Sequence, residues 1–148
     1  MRPFAEIFAL AKATETSALA IARAGALFYT AWGLFHLRVA WDIMTLGVPE
    51  SGLVQGRLFQ LAAYMLTISL FVIGAALRLN WRNDRFGCWL NLCVAGWADT
   101  IWLTVVVLPG YVGLTRGLVP PAIFVVGALL TTVALRAQAR STRLTPMG

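Results

Sequence analysis

Four long apolar stretches constrain the fold of this chain more than any other feature of its sequence. A helix needs roughly 20 mostly apolar residues to cross the hydrocarbon core of a bilayer. The stretches run over 24–47, 58–77, 86–108 and 121–135, and the segments between them are rich in turn-forming or charged residues. We therefore predict an all-α integral membrane protein, a four-helix transmembrane bundle that forms one membrane domain.

The amino-acid composition agrees with this fold class and excludes several soluble classes. Of the 148 residues, 59% are hydrophobic and only 12% are charged, whereas soluble domains carry roughly 25% charged residues. A soluble fold with so few charges would leave large apolar patches in water. The net charge of +6 is divided among the segments between the apolar stretches. It forms no continuous basic face, so we predict no nucleic-acid partner.

The basic residues are distributed unevenly between the two ends of the predicted spans. Arg57 and Arg116 lie at one end, Arg38 lies inside the first span, and nine lie at the other end: Arg2, Lys12, Arg23, Arg78, Arg82, Arg85, Arg136, Arg140 and Arg143. Cytoplasmic segments carry an excess of Lys and Arg. The bias predicts that both termini are cytoplasmic, in a protein of the bacterial inner membrane.

The two terminal segments have too many polar residues to be spans. Residues 1–22 combine many Ala and Leu residues with a polar group at Lys12, Thr14, Glu15 and Ser17. This composition favours an amphipathic helix lying in the membrane interface, with a flexible soluble tail as the alternative. Residues 136–148 are predicted to form a cytoplasmic tail.

Polar side chains interrupt three of the predicted spans, where an ionisable residue costs about 2.5–3.5 kcal/mol or more. They are His36, Arg38 and Asp42 in the first span, Gln60 and Tyr64 in the second, and Asn91 and Asp99 in the third. A helix rises 1.5 Å per residue, which places His36 and Asp99 at the same height near the middle of the bilayer. Asp42 lies about 9 Å nearer the outer surface. We predict that these groups line one internal cavity.

Helical angles predict which of these groups pair. Arg38 and Asp42 are four residues apart and lie on one face, so they can form an ion pair. Arg38 is also a candidate partner for Asp99, whereas His36 points about 160° away from Arg38, toward another helix or another protomer. A purely structural ionic lock is the alternative. One arginine facing two carboxylates leaves one of them without a counter-charge, and a neutral carboxylic acid in an apolar pocket is a competent general acid.

Aromatic residues and cysteines complete the set of candidate site residues. Four tryptophans lie on the two spans that carry the aspartates, where they either pack in the core or form the walls of a site for a flat, lipid-like ligand: Trp32, Trp41, Trp97 and Trp102. Cys88 and Cys93 are five residues apart, about 140° around a helix, so we predict neither a disulfide between them nor a metal site.

The polar groups suggest a membrane-embedded enzyme that acts on an apolar small molecule by acid–base chemistry, as an isomerase or by opening an epoxide. Asp99 would be the acid and Asp42 or His36 the base, with Arg38, Asn91, Gln60 and Tyr64 orienting the substrate. This chemistry requires no cofactor. Membrane lipids and further copies of the chain, in a homo-oligomer, are the expected partners.

Three other functions remain open on the sequence alone. In the first, the chain is a non-catalytic accessory subunit or ligand carrier of a larger membrane complex. In the second, His36 binds haem b, which requires a symmetric oligomer or a five-coordinate iron because the chain has one histidine. The third is a proton-coupled transporter that depends on Asp99.

Overall fold

The computed structural model describes residues 4–144, which fold almost entirely into helix. The five α-helices in this range are α1 (Phe4–Gly47), α2 (Gly52–Arg78), α3 (Arg85–Trp102), α4 (Leu114–Gly117) and α5 (Val119–Leu144). A 3-10 helix, Asn80–Arg82, lies between α2 and α3, and a π-helix, Leu103–Val107, continues α3. Residues 1–3 of the predicted interfacial helix and residues 145–148 of the predicted tail lie outside the described range.

Four of these helices confirm the predicted fold class. Their segments 15–47, 52–82, 85–107 and 114–142 are long and apolar enough to cross a membrane. The predicted ends are less accurate than the number of spans, because α2 begins six residues before the predicted span and α5 continues nine residues beyond it. Residues 136–144 of the predicted tail are therefore helical.

The first helix has no boundary between the predicted interfacial segment and the predicted first span. Residues 4–47 form one helix of 44 residues, which is about 66 Å long at 1.5 Å per residue. Between Phe4 and Ala24 the sequence has neither proline nor glycine, so nothing interrupts the backbone hydrogen bonds there. Because the hydrocarbon core of a bilayer is about 30 Å thick, part of α1 extends beyond that core.

The four long helices pack in a ring around one core. The helix α1 contacts α2 and α5, and α3 contacts the same two helices, so α1 and α3 lie diagonally opposite each other. The centre of the core consists of Tyr29 and Trp32 from α1, Val72 and Ala76 from α2, and Ala95 from α3. Large apolar side chains such as Leu70, Trp97 and Leu129 are exposed on the outside, as expected for a surface that contacts lipid.

The C-terminal end of the third span is attached to α4. In the π-helix, the Leu108 amide donates to the Leu103 carbonyl over 2.8 Å. The Trp102 Nε1 donates to the Gly117 carbonyl, also over 2.8 Å. A side chain at Gly117 would collide with Val107, so this glycine allows the close approach. Trp102 thus acts as a structural contact at this end of the bundle.

Close packing of α1 on α5 gives a first testable prediction. A Cβ atom at Gly25 would lie 2.7 Å from Thr131 Cγ2 and 3.1 Å from the Gly127 carbonyl oxygen. Because backbone atoms of α5 cannot move aside, Gly25→Ala is expected to lower the free energy of unfolding by about 1–3 kcal/mol. The measurement is SDS titration in mixed micelles. Gly74→Ala is the matched control, since nothing lies within 4 Å of its Cβ position, and an equal loss in both variants would contradict this packing.

Candidate functional site

One face of α1 carries the polar side chains that enter the core. Tyr29, Trp32 and His36 are separated by three and four residues, so they lie on the same side of the helix. Tyr29 and Trp32 are fully buried and His36 is 6% exposed. Gly33 lies beside this face, where a Cβ atom would be 2.5 Å from Ile73 Cγ1, so α2 approaches α1 closely at this height.

Trp32 links the two diagonal helices through the core. Its Nε1–H donates to both carboxyl oxygens of Asp99, over 3.2 and 3.1 Å. Asp99 is 3% exposed and lies near the C-terminal end of α3. The depth estimate placed His36 and Asp99 at the same height, and each of them contacts Trp32. Trp32, His36 and Asp99, which we call the core triad, are the predicted site residues that the structure brings together.

His36 is held by the helix to which it belongs. Its Nδ1 lies 2.8 Å from the Trp32 carbonyl oxygen, and since a carbonyl oxygen only accepts, Nδ1 carries a hydrogen. The imidazole lies over the Trp32 indole with the ring centroids 3.8 Å apart, and Phe35 contacts the imidazole edge-on. In the described part of the chain, Nε2 has no hydrogen-bond partner, so a neutral His36 presents a free lone pair there.

Among the described side chains Asp99 has no cationic partner, which corrects the predicted contact with Arg38. Arg38 Nε lies 3.0 Å from Asp42 Oδ1, and this ion pair confirms the pairing predicted from the spacing of four. Both side chains are on the outside of the bundle, 72% and 51% exposed. Where side chains are described, in residues 12–142 without residue 14, no basic group lies within 4.0 Å of Asp99. The prediction of one cavity shared by Arg38, Asp42 and Asp99 is wrong, because α1 directs its Arg38–Asp42 face outward.

The other residues predicted to orient or enclose a substrate also lie away from the core triad. Gln60 Nε2 donates to the Tyr64 hydroxyl over 2.6 Å, as their spacing of four suggests, but both side chains are exposed. Trp41 and Trp97 are exposed as well, at 63% and 68%. Their large apolar surfaces face outward, where lipid can cover them, so these four side chains do not wall an internal pocket with Asp99.

Asn91 belongs to a second buried polar group, nearer the opposite end of the spans. Its Nδ2 donates to the Val72 carbonyl and to Asn80 Oδ1, both over 3.4 Å. Asn80 was not predicted as a site residue, although two asparagines and an aspartate within five residues, 80–84, are typical of a structured turn. Asn91 Oδ1 and Asn80 Nδ2 are buried, and neither has a hydrogen-bond partner among the described residues.

Tyr29 is the residue of the core that the sequence reasoning missed. Its hydroxyl lies near Thr131 but has no hydrogen-bond partner within 3.5 Å in the described part of the chain. Its ring contacts that of Phe124 edge-on, with the centroids 6.2 Å apart. The spacing of Tyr29, Trp32 and His36 was the available signal. A tyrosine in an apolar helix is ordinarily a core residue, which is why that signal is weak.

Metal-ligating side chains do not cluster in the described residues, where no group of three or more His, Cys, Asp or Glu is found. Cys88 is buried and Cys93 exposed, and both are free. Comparison with protein-family models, with curated proteins and with solved structures finds no match to this chain. The geometry of the core triad is therefore the main guide to function.

Proposed function

We propose that this chain is a membrane-embedded acid–base enzyme that isomerises an apolar small molecule. The observation that carries the proposal is the environment of Asp99: a buried carboxyl group whose hydrogen bonds come from an indole N–H, with no counter-charge nearby among the described side chains. A buried, unpaired carboxylate is strongly disfavoured. Asp99 is then a neutral acid that can give up a proton to a bound molecule.

His36 supplies the base in this proposal. Its Nδ1–H bond to the Trp32 carbonyl leaves the Nε2 lone pair free to accept a proton. In an unsaturated ketone, Nε2 would remove a proton from the carbon beside the carbonyl group while Asp99 protonates the carbonyl oxygen. His36 would then return its proton to the far carbon of the dienol as Asp99 regains its own. Both groups end as they began, so the reaction needs no cofactor or co-reactant.

The location of the protein is part of the same proposal. The nine basic residues at one end of the spans support cytoplasmic termini in a bacterial inner membrane. The apolar outer surface supports delivery of the substrate from the lipid phase. It also provides contact area for further copies of the chain in a homo-oligomer.

Carbodiimide labelling tests the proposal without knowledge of the substrate. Dicyclohexylcarbodiimide is apolar, and a neutral carboxylic acid adds across its N=C=N group to give an acylisourea that rearranges to a stable acylurea. We expect the adduct on Asp99, mapped by peptide mass spectrometry of protein labelled in liposomes. Asp42 is the internal control because it lies on the outside of the bundle in an ion pair with Arg38. An adduct on Asp42 alone, or none on Asp99, would contradict the proposal.

A direct assay uses hydrogen exchange. Protein in liposomes of deuterated buffer is supplied with an apolar β,γ-unsaturated ketone, and deuterium incorporation and movement of the double bond are followed by NMR. We expect both to depend on native protein and to stop after heat denaturation. Absence of exchange, together with co-purification of a stoichiometric protein partner, would instead favour the role of accessory subunit.

A haem site at His36 is a second candidate, favoured by one observation. A histidine that donates from Nδ1 to a carbonyl oxygen has Nε2 available as an axial ligand to iron. A visible spectrum of the purified protein tests this candidate. A Soret band that disappears in His36→Ala would support it, and a spectrum limited to Trp and Tyr absorbance would leave the acid–base enzyme as the better proposal.

A further inference from the structure

The turn between α2 and α3 packs against the bundle and forms hydrogen bonds with it. Asn83 ends the 3-10 helix in a left-handed conformation, with φ of 56°. Although it lies in a turn, this residue is buried. Its Nδ2 donates to the Ala134 carbonyl over 3.3 Å and to Gln138 Oε1 over 2.6 Å. These bonds attach the turn to α5, while the 3-10 helix also packs on α1.

Two cavities flank this turn at the end of the bundle that carries most of the basic residues. The cavity against α1 has a volume of about 420 Å³ and is bordered by Glu15, Arg23 and Trp81. The cavity against α5 has a volume of about 580 Å³ and is bordered by Arg85 and Arg136. The two cavities adjoin along Arg82, Asn83 and Gln138, which border both, and we call this adjoining pair of cavities the basic cleft.

The side chains that border the cleft carry an excess of positive charge. Four arginines face two carboxyl groups around it, Arg23, Arg82, Arg85 and Arg136 against Glu15 and Asp84. In the described range, none of these arginines forms an ion pair within 4.0 Å. Asp84 Oδ1 instead accepts from the Gly87 amide over 2.9 Å, as the N-cap of α3.

Arg23 is held in place without using its hydrogen-bond donors on a carboxylate. Its guanidinium carbon lies 5.5 Å from the centroid of the Trp81 ring, a cation–π contact that fixes the side chain against the turn. Arg82 stands in the same cavity. Guanidinium groups bind phosphate oxygens with two parallel hydrogen bonds, so the two arginines that border this cavity provide donors suited to a phosphate group.

We propose that the basic cleft binds the phosphate-bearing headgroup of an anionic phospholipid. A soluble phosphate offers the same chemistry, but the position of the cleft favours the lipid. It lies where α1, α2, α3 and α5 pass from their apolar outer surface to their basic end, so acyl chains could lie along the spans. Basic pockets between spans on the cytoplasmic side recognise anionic lipids. This site is independent of the core triad.

Native mass spectrometry of the detergent-purified protein with added dioleoyl phosphatidylglycerol tests the inference, with dioleoyl phosphatidylcholine as the zwitterionic comparison. We expect the wild type to retain phosphatidylglycerol preferentially. The double variant Arg23→Gln, Arg82→Gln is expected to bind it about 10–100-fold more weakly, because each lost arginine removes charge-assisted hydrogen bonds. The matched control is Arg57→Gln, Arg116→Gln, which removes the same charge at the opposite end of the spans and is expected to bind normally.

The possible outcomes separate the explanations. An equal loss of phosphatidylglycerol binding in both double variants would overturn the proposed site and indicate general charge attraction. Equal retention of the two lipids by the wild type would have the same meaning. Displacement of phosphatidylglycerol from the wild type by inorganic phosphate or glycerol 3-phosphate would overturn the assignment to a lipid. Arg82→Lys keeps the charge but not the planar group. This variant is expected to fold and to bind phosphatidylglycerol less tightly. Unchanged affinity in both Arg82→Lys and the double variant Arg23→Gln, Arg82→Gln would also overturn the inference.

Discussion

Replacement of Asp99 by asparagine is expected to lower the rate of deuterium exchange into the unsaturated ketone by about 10²–10⁴-fold, the usual contribution of a general acid or base. The asparagine side chain has the same size, and its carbonyl oxygen can still accept from Trp32 Nε1. It cannot release a proton to the substrate. The protein should therefore fold and bind as before while the chemical step fails. Initial rates in liposomes, with equal protein content, provide the measurement.

Asp42→Asn is the comparison that distinguishes the two aspartates. Asp42 lies on the outside in an ion pair with Arg38, and exposed pairs contribute at most about 1 kcal/mol to stability. We expect this variant to exchange at close to the wild-type rate. A rate for Asp99→Asn equal to that of the wild type would contradict the proposed role of Asp99. A large loss of exchange rate in Asp42→Asn would instead identify Asp42 as the base.

The sequence was sufficient to predict four spans, because the hydropathy of a stretch decides whether lipid can surround it. It was less informative about helix ends. Residues 136–144 continue α5 because Arg, Ala and Gln are good helix formers even though they are too polar for the hydrocarbon core. For the same reason, the polar residues near the start of the chain did not produce a break in α1.

The relative height of two residues along the bundle was predictable, whereas rotation about the helix axis was not. Counting residues placed His36 and Asp99 at the same level, and Trp32 contacts both. The same counting could not indicate that α1 turns Arg38 and Asp42 outward, since that rotation depends on which faces pack. Close approach at Gly33 against Ile73 is one such packing contact, and it involves residues 40 positions apart.

The partner of Asp99 illustrates a further limit. Charge counting favoured Arg38, because a buried carboxylate ordinarily requires a cation. The structure supplies an indole N–H from Trp32 instead, and nothing in the sequence distinguishes a tryptophan that donates into the core from Trp97, which is exposed on the outside. Neutral donors of this kind become recognisable only when the two helices are positioned relative to each other.

Because Trp32 is buried in the core whereas Trp97 is exposed, we expect truncation of Trp32 to destabilise the core most. It is fully buried among Tyr29, Val72 and Ala95 and donates to Asp99. Trp32→Ala is expected to lower the free energy of unfolding by about 3–5 kcal/mol, because the truncation leaves a cavity that its neighbours fill only partly. SDS titration in mixed micelles, followed by circular dichroism, measures the change.

Two matched variants separate the contribution of the ring from that of its N–H group. Trp32→Phe keeps an aromatic ring but leaves the buried carboxyl of Asp99 without its donor, so we expect a loss of about 1–3 kcal/mol. Trp97→Ala removes a side chain that is 68% exposed and is expected to change the free energy of unfolding by no more than about 0.5 kcal/mol. If Trp97→Ala were as destabilising as Trp32→Ala, burial in the core would not be what makes Trp32 important. If Trp32→Phe matched the wild type, the hydrogen bond to Asp99 would contribute nothing to stability, and the ring alone would hold the core together.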